Sequence, residues 1–365
     1  MIQMKHLMIT AFGAVLLAPN LLFPLMKTEA DLENRENRTL APFPSVSWEN
    51  IDSLPADIEL YINDHAAFRN RFLSLNSSLN LALFDHADSR EVIKGKDGWY
   101  FYAAGSSVED FLGVNRFSPE ELSAITEKFL AAQAYFEQRG VRFLVLIAPN
   151  KEGIYREFLP DGFTSPDGPT RRGELIQAVS NRIPGLIADP SAYFMENRDY
   201  QWYFKTDTHW NDAAGFVAAQ MLIEMAGGSP VSVQDIQVEY IPGKYGDLAS
   251  LFHMPVSLAD DSSASIRGYY DDLPSEFSDP AGDGNIVRYT TPDSPDPRRI
   301  AIYRDSFGVA LAPALCKYFR FADFYHRQAF DCSLLEENRP DIVVYEVVER
   351  NLDQILLDLG RLMGE

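Results

Sequence analysis

The sequence predicts an α/β protein: a three-layer domain with a parallel β-sheet, behind one N-terminal membrane helix. The first observation is an amphipathic helical pattern from Pro119 to Arg139, followed by Gly140 and the apolar run "VRFLVLIAP". A helix, a glycine and then a buried strand form the repeating unit of parallel α/β sheets. The second observation is that "RRIAIYRDSF" (298–307) and "DIVVYEVVER" (341–350) are further apolar runs of strand length. The third is the apolar start of the chain.

The first thirty residues predict export. Residues 7–26, "LMITAFGAVLLAPNLLFPLM", are apolar apart from one threonine and one asparagine. As a helix they span roughly 30 Å, the thickness of a bilayer core. Lys5 precedes them and an acidic run (29–33) follows, which favours a cytoplasmic amino end and an exported remainder. An uncleaved anchor is favoured over a cleaved signal peptide, for which Thr28 and Ala30 form a weak small-x-small site. A buried helix of a cytosolic protein fits the positive flank less well.

The rest of the chain is predicted to have two parts. Residues 31–90 begin with the polar, proline-bearing stretch "ENRENRTLAPFPS", which indicates extended chain. Apolar residues at helical spacing between Ile58 and Phe84 then predict helices that pack on a larger body. Residues 91–365 are predicted to form the main domain, opening with a hairpin in "VIKGKDGWYFY". The acidic, proline-rich stretch at about 260–298 is predicted to be an insertion with little regular structure.

The composition argues against several classes of partner and cofactor. The formal net charge is −21 and the pI is near 4.7, which argues against a nucleic-acid partner. The two cysteines, Cys316 and Cys332, exclude a disulfide-dense scaffold and a four-thiolate zinc site. One disulfide and two free thiols both remain open. Histidines are scattered without a His-x-x-x-His pair, so neither a metal nor another cofactor is expected.

Polar residues that directly follow the predicted strands are the candidates for a site. In an open parallel α/β sheet, ligands bind at the carboxyl ends of the strands. Ser306 in "IAIYRDSFG" stands where a strand should turn into a helix. Backbone N–H groups at such a helix start favour a developing oxyanion, so this serine is a candidate nucleophile. An ordinary helix-capping serine is the alternative.

The stretch "KTDTHWN" (205–211) supplies what a serine nucleophile needs. Such a serine requires a base within hydrogen-bond reach and a third group that orients the base. Asp207 and His209 project to the same side of an extended or turn segment, and Trp210 would wall the site. A structural Asp–His turn remains the alternative.

Seven motifs in order resemble the alginate O-acetyltransferase family and its relatives in exopolysaccharide acetylation: "ENRTLAPFP", "NDHAAFRNRF", "GKDGWYFY", "APNKEGIYREFLP", "KTDTHWN", "GKYGDLASLF" and "RDSFG". The resemblance covers most of the chain from about Glu33 onward. It implies a circularly permuted SGNH-hydrolase-like fold, with Asp207 and His209 as orienter and base and Ser306 as nucleophile. It also implies a periplasmic domain, anchored to the inner membrane, that receives acetyl groups from a membrane-bound O-acyltransferase and transfers them to a polysaccharide.

One position departs from the SGNH pattern. Arg304 stands where SGNH hydrolases usually have a glycine before Asp-Ser. The oxyanion hole is therefore less defined, and the best expected donors are the Ser306 backbone N–H and the Asn150 side chain.

Several other residues are weaker candidates for binding polysaccharide. Aromatic rings are expected to stack on sugar faces, and the alternative for each ring is core packing. Lys151 and Arg350 are expected to hold hydroxyl or carboxylate groups, with surface salt bridges as the alternative. The aromatic candidates are Trp99, Tyr100, Trp202, Tyr203 and Trp210.

The expected function is an exported polysaccharide O-acetyltransferase with a Ser-His-Asp triad. Two alternatives stay open. A polysaccharide O-acetylesterase would use the same triad with water as acceptor, and a non-catalytic glycan-binding or assembly partner of a membrane acyltransferase would keep the motifs without the chemistry.

Overall fold

The computed structural model describes residues 2–32, 34, 39–48, 50–86 and 89–365. Residues 33 and 35–38 of the predicted extended segment lie outside the described residues. Within the described part of the chain the α-helices, in order, are α1 (Ile2–Met26), α2 (Glu29–Leu32), α3 (Leu54–His65), α4 (Arg69–Phe84), α5 (Ser107–Phe111), α6 (Pro119–Glu137), α7 (Lys151–Ile154), α8 (Arg171–Ser180), α9 (Ser191–Glu196), α10 (Asp212–Met225), α11 (Asp247–Leu251), α12 (Ala312–Tyr318), α13 (Ser333–Asn338) and α14 (Ile355–Met363).

The strands over the same residues are β1 (Val92–Lys94), β2 (Tyr100–Tyr102), β3 (Arg142–Ala148), β4 (Ile187–Ala188), β5 (Gln237–Pro242), β6 (Ser262–Arg267), β7 (Glu276–Ser278), β8 (Ile286–Thr290), β9 (Asp296–Arg304), β10 (Phe319–His326) and β11 (Ile342–Val348). The predicted strands near 142, 187, 300 and 342 and the hairpin at 92–102 are all present. The prediction missed β10.

The chain divides into two compact units. The first consists of Met1–Val92 and Asp247–Ala259, and the second of Ile93–Gly246 and Asp260–Glu365. The predicted divisions at residues 30 and 90 stay predictions about domain organisation.

The first unit contains the apolar N-terminal helix and the helices α3 and α4. Within α1, Met4–Met26 is long and apolar enough to cross a membrane by length and composition, with a mean hydropathy of 1.8. The helices predicted between Ile58 and Phe84 exist, but their apolar residues do not pack inward as expected. Four of them on α4 are exposed: Phe72, Leu75, Leu79 and Leu83.

The second unit is built on a seven-stranded sheet with the strand order β4-β3-β11-β9-β10-β8-β7. The five strands from β4 to β10 are parallel to one another, whereas β8 and β7 are antiparallel additions at one edge. The sheet is therefore mixed, and the expectation of a purely parallel sheet was too simple. The stretch 260–298 was predicted to lack regular structure, and this was wrong because it forms β6, β7, β8 and the start of β9. The circular permutation stays a prediction.

Helices cover both faces of the sheet, so the second unit has three layers. On β3, Leu144 and Leu146 pack in a core with α10 and α12. Val145 and Ile147, which alternate with them, pack in a second core with α6, α8 and α14. Every side chain of β3 after Arg142 is buried, which explains its continuous apolar run.

The register of the parallel strands brings three chain segments to one edge. Val348 of β11 pairs with Ala148 of β3, and Tyr345 of β11 pairs with Tyr303 of β9. The carboxyl ends of β3, β9 and β11 therefore meet at the same edge of the sheet. Elsewhere in this unit, Cys316 and Cys332 are free thiols.

Candidate active site

Ser306 begins the turn that follows β9. It is the first residue of a 3-10 helix, Ser306–Leu311, and its side chain is exposed. Asp305 precedes this helix as its N-cap, and the Asp305 Oδ1 atom accepts a hydrogen bond from the Phe307 N–H at 2.9 Å. Asp305 Oδ2 accepts from the Val348 N–H at 2.9 Å and the Asn351 amide at 3.1 Å. The turn is therefore fixed to the end of β11 by one carboxylate.

Glu346, on β11, is a second buried carboxyl group under the same turn. Its Oε2 atom accepts from the Asp305 N–H at 3.1 Å, and the Gly308 N–H also donates to this carboxyl group. Burial, followed by the nearby Asp305 charge, raises the pKa of Glu346 well above its usual range. The protonated form of Glu346 is therefore favoured over a wider pH range than that of an exposed glutamate. A Cβ at Gly308 would lie 2.9 Å from Glu346 Oε2, so the turn needs a glycine there.

Arg304 occupies the position of the usual glycine. Its side chain is buried, and its guanidinium donates to the Asp305 carbonyl at 3.2 Å and to the Gly284 carbonyl at 2.6 Å. Burial lowers the pKa of this guanidinium. Arg304 therefore supports the turn from within the protein.

The loop before α10 carries Asp207 and His209. Asn211 caps α10 by accepting from the Ala213 and Ala214 N–H groups at 3.0 and 3.2 Å. Two residues before that cap, His209 Nδ1 lies 2.6 Å from Asp207 Oδ1, and the His209 backbone N–H donates to the same oxygen at 3.0 Å. The cap and the carboxylate together fix the direction of the imidazole ring.

The two loops meet at one hydrogen bond. His209 Nε2 lies 2.8 Å from Ser306 Oγ, although the residues are 97 positions apart in the chain. Because the Asp207 carboxylate can only accept, Nδ1 carries the imidazole proton and Nε2 accepts from the serine hydroxyl. The Trp210 indole N–H donates to the Phe307 carbonyl at 2.8 Å and ties the loops together a second time.

The electrostatics favour an ionised Asp207. Burial works against its ionisation, but the hydrogen bond and charge of His209 and the ammonium of Lys244 outweigh burial and hold the pKa of Asp207 below its usual range. Lys244 Nζ lies 3.4 Å from Asp207 Oδ2 and 4.7 Å from the centre of the Phe204 ring. Sequence reasoning gave no role to Lys244, although it belongs to the quoted "GKYGDLASLF" motif.

Lys151 has a structural position. It is 3% exposed, and its ammonium donates to the carbonyls of Tyr100, Lys205 and Asp207 at 2.6, 2.9 and 3.0 Å. All three N–H bonds are thus directed at protein carbonyls. The expectation that Lys151 holds a substrate hydroxyl or carboxylate is wrong, because the ammonium has no remaining donor.

Two candidate donors for an oxyanion remain at the edge of the sheet. Within the described residues, the Ser306 backbone N–H has no partner, whereas the next two N–H groups are taken by Asp305 and Glu346. Asn150, after β3, is buried: its Oδ1 accepts from the Arg350 N–H at 3.2 Å, and its Nδ2 has no partner among the described residues. A buried amide without a partner is costly and is typical of functional positions.

The aromatic candidates are core residues. Trp99, Tyr203 and Trp210 are between 0% and 4% exposed, and Tyr100 and Trp202 are also buried. Trp99 stacks on Tyr155, with ring centroids 4.2 Å apart. Their faces are covered by protein, so they offer no stacking surface to a sugar. The half-buried Arg350 differs, because its guanidinium lies 5.0 Å from the ring of Phe307, the residue after Ser306.

Comparison with known proteins identifies the class. Residues 92–255, less than half of the 365-residue chain, match the family model described as SGNH hydrolase-like domain, acetyltransferase AlgX. This segment includes Asp207 and His209. No curated protein sequence matches the chain at a significant level.

Comparison with solved structures supports the fold through PatB1. Bacillus cereus PatB1 has 15% sequence identity, with 72% of this chain and 96% of that chain covered and a TM-score of 0.55. The O-acetyltransferase domain of Pseudomonas putida AlgJ has 18% identity, with 73% and 98% covered and a TM-score of 0.44.

The architecture and the family match together show an SGNH-hydrolase-like fold. Within that class the matched model is that of an AlgX-type acetyltransferase domain. The resemblance predicted from the motifs is confirmed, and so is the predicted class of enzyme, an O-acetyltransferase.

Proposed function

We propose that this protein is an exported O-acetyltransferase that moves an acetyl group onto a sugar hydroxyl of a polysaccharide. Ser306 is the nucleophile, His209 the general base and Asp207 the group that orients the base. The observation that carries the proposal is the chain of hydrogen bonds from Asp207 through His209 to Ser306. The match to an acetyltransferase model supports the choice of acyl group.

The first half-reaction forms an acetyl-enzyme. His209 Nε2 takes the proton of Ser306 Oγ as this oxygen attacks the carbonyl carbon of the acetyl donor. The Ser306 backbone N–H and the Asn150 side-chain amide are the candidate donors to the oxyanion that develops. When the intermediate collapses, the bond to the leaving oxygen breaks and that oxygen takes the proton from His209.

The second half-reaction transfers the acetyl group. A sugar hydroxyl gives its proton to His209 and attacks the acetyl carbon, and Ser306 Oγ leaves and regains the proton. In our proposal Arg350, whose half-buried guanidinium lies beside Phe307, would hold an acceptor oxygen. The reaction is hydrolysis if water arrives first, so access to the site decides between transferase and esterase.

The N-terminal helix and the family match support a proposal for the cellular location and for the source of the acetyl groups. We propose that α1 holds the domain on the periplasmic side of the inner membrane, and that a membrane-bound O-acyltransferase supplies the acetyl groups. No nucleic acid and no cofactor take part in this scheme.

The first experiment asks which residue becomes acetylated. The full chain is incubated with 4-nitrophenyl acetate, quenched and digested, and its peptides are analysed by mass spectrometry. We expect the mass of one acetyl group on the peptide that contains Ser306, its loss in Ser306→Ala, and its retention in the matched control Ser278→Ala, which changes an exposed serine. Acetylation that persists in Ser306→Ala would show that the nucleophile is wrongly assigned.

The second experiment separates transfer from hydrolysis. Neutral and anionic polysaccharides are offered with the acetyl ester, and acetyl groups on the glycan and free acetate are both measured by NMR. Acetyl gain on a glycan supports the transferase. Acetate release alone, together with loss of acetyl from a pre-acetylated glycan, would identify an esterase. A chain that binds glycan but never forms the acetyl-enzyme would be a binding partner without activity.

A further inference from the structure

Helix α4 exposes an apolar stripe to solvent. Phe72, Leu75, Leu79 and Leu83 follow one another at intervals of three or four residues, so they form one stripe along the helix. Each is between 50% and 68% exposed. The adjoining Phe84 is 71% exposed. A surface helix of a soluble protein normally turns such a stripe inward.

The inward face of α4 holds polar residues beside the half-buried Leu73 and Leu81. Its two buried residues are Asn70 and Ser77. The Ser77 hydroxyl donates to the Phe252 carbonyl within the same unit. Polar side chains thus fix this helix to its own unit while the apolar stripe points outward. The outward stripe is therefore directed at an apolar environment that the described residues do not themselves supply.

The charges on α4 favour an anionic surface as that environment. The helix carries Arg69 and Arg71 and no acidic residue, and no residue from Phe72 to Phe84 is charged. The whole chain has a formal net charge of −21. A face without acidic residues meets anionic headgroups without repulsion.

The start of α4 lies at the end of α1. The Arg71 guanidinium donates to the Met26 carbonyl at 3.0 Å and to Asp31 Oδ1 at 2.7 Å. The Phe68 ring packs edge-on against the Phe23 ring, with centroids 5.1 Å apart. If α1 spans the bilayer, its last turn lies near the membrane surface, and these contacts hold the first turn of α4 at the same level.

We propose that the stripe Phe72, Leu75, Leu79 and Leu83 lies against the lipid surface, in the interfacial region of an anionic membrane. The inference rests on the proposed anchor α1 and is independent of the acetyl transfer. The helix then acts as a second contact with the bilayer, in addition to the span. Helix α1 and the stripe of α4 are both apolar, and the two helices are in contact at one end. One lipid bilayer can therefore cover both.

The test measures lipid contact residue by residue. The full chain, with Cys316→Ala and Cys332→Ser, is labelled with a fluorescent probe at one new cysteine and inserted into nanodiscs of phosphatidylethanolamine and phosphatidylglycerol. The labelled variants are Leu79→Cys, Val15→Cys in α1, and Val114→Cys, whose native side chain is 71% exposed in the second unit. Spin-labelled lipids then quench probes that contact the bilayer.

We expect strong quenching at positions 15 and 79 and at least several-fold weaker quenching at 114. Quenching at 15 with a water-exposed probe at 79 would overturn the lipid contact while leaving the anchor in place. A water-exposed probe at 15 would overturn both. Shielding at 79 in native membranes but not in pure-lipid nanodiscs would identify a membrane protein as the partner and overturn the lipid assignment. The acetyl-enzyme assay with Ser306→Ala is unaffected by any of these outcomes.

Discussion

The two loops of the site are held in opposite ways. The turn that begins at Ser306 exposes backbone N–H groups, and two buried carboxyl groups, Asp305 and Glu346, accept from them. The loop that carries Asp207 exposes backbone carbonyls, and one buried ammonium, that of Lys151, donates to them. Side-chain acceptors therefore pair the N–H groups of one loop, and a side-chain donor pairs the carbonyls of the other.

The residues that support the loops are therefore different from the residues proposed to react. The supporting groups pair backbone atoms of both loops, and they lie in the protein interior where such bonds are strong. The reacting groups, His209 and Ser306, are the ones that remain accessible. The following changes test this division, beginning with the bond between the two loops.

Replacing the base should have the largest effect. His209→Ala removes the only described side chain that bonds Ser306 Oγ, so we expect acetyl-enzyme formation to fall by roughly 1,000-fold or more. The rate of 4-nitrophenol release in the first turnover measures this. His86→Ala, an exposed histidine, is the matched control. A fall of less than tenfold would mean that another group activates the serine.

Removing the ammonium under the Asp207 loop should cost stability as well as rate. Lys151→Met keeps the length of the side chain but leaves three carbonyls without this donor, and we expect about 3 kcal/mol lower free energy of unfolding. Urea unfolding followed by circular dichroism measures it. Lys128→Met, which breaks a surface ion pair with Glu365, should change stability by less than about 1 kcal/mol. Equal effects of the two changes would remove Lys151 from its supporting role.

Glu346 offers a test with an isosteric control. Glu346→Gln keeps a neutral group with an accepting oxygen, so we expect activity within about threefold of the native protein. Glu346→Leu leaves the Asp305 and Gly308 N–H groups unpaired, which costs about 2 kcal/mol each, and we expect kcat to fall by roughly tenfold or more with little change in KM. Steady-state kinetics separate the two parameters. A Gln variant as poor as the Leu variant would mean that ionised Glu346 is required.

The pH dependence of stability provides a second test of Glu346. The folded-state pKa of Glu346 is raised, so its contribution is fully present below the unfolded value of about 4.3 and is lost as pH rises through the folded value. Glu346→Gln has no such proton, and its stability relative to the native protein should therefore increase with pH above about 4.3. Unfolding free energies at several pH values measure this trend, and a constant difference would contradict it.

Lys244 should have the smallest effect. Its ion pair with Asp207 is partly exposed, so Lys244→Met should cost less than about 1 kcal/mol. The pKa of Asp207 is lowered, which gives stability that is present above about 3.9 and lost as pH falls through the folded value. Because the variant loses one cause of the lowering, its acid unfolding should begin at a slightly higher pH. An unchanged acid transition would show that His209 alone keeps Asp207 ionised.

The sequence predicted which residues meet at the site better than it predicted their surroundings. Asp207, His209 and Ser306 were recognisable because a short polar motif and a serine after an apolar strand have few other uses in combination. The role of Lys151 could not be recognised from the sequence, since a lysine after a strand has the same pattern whether it faces substrate or carbonyl groups. Burial of Trp99 and Tyr203 was equally hidden, because an aromatic residue suits a core and a sugar site alike.

The fold was predictable where the hydrophobic pattern was continuous. β3 and β11 are buried on both faces and appear as unbroken apolar runs, whereas β8 is half-buried along its whole length. A half-buried strand of this kind, with apolar and polar residues mixed, carries no clear period. The exposed stripe of α4 was interpreted as core for a related reason: periodicity locates an apolar face without telling what covers it.

Crowding at Gly308 has an evolutionary consequence. A Cβ at this position would approach Arg304 Cβ to 2.6 Å as well as the Glu346 carboxyl oxygen. Homologous chains that keep an arginine and a glutamate at the equivalents of 304 and 346 should be restricted to glycine at 308. Those with a glycine at 304 and a smaller residue at 346 should tolerate alanine or serine there, so the three positions are expected to co-vary in an alignment.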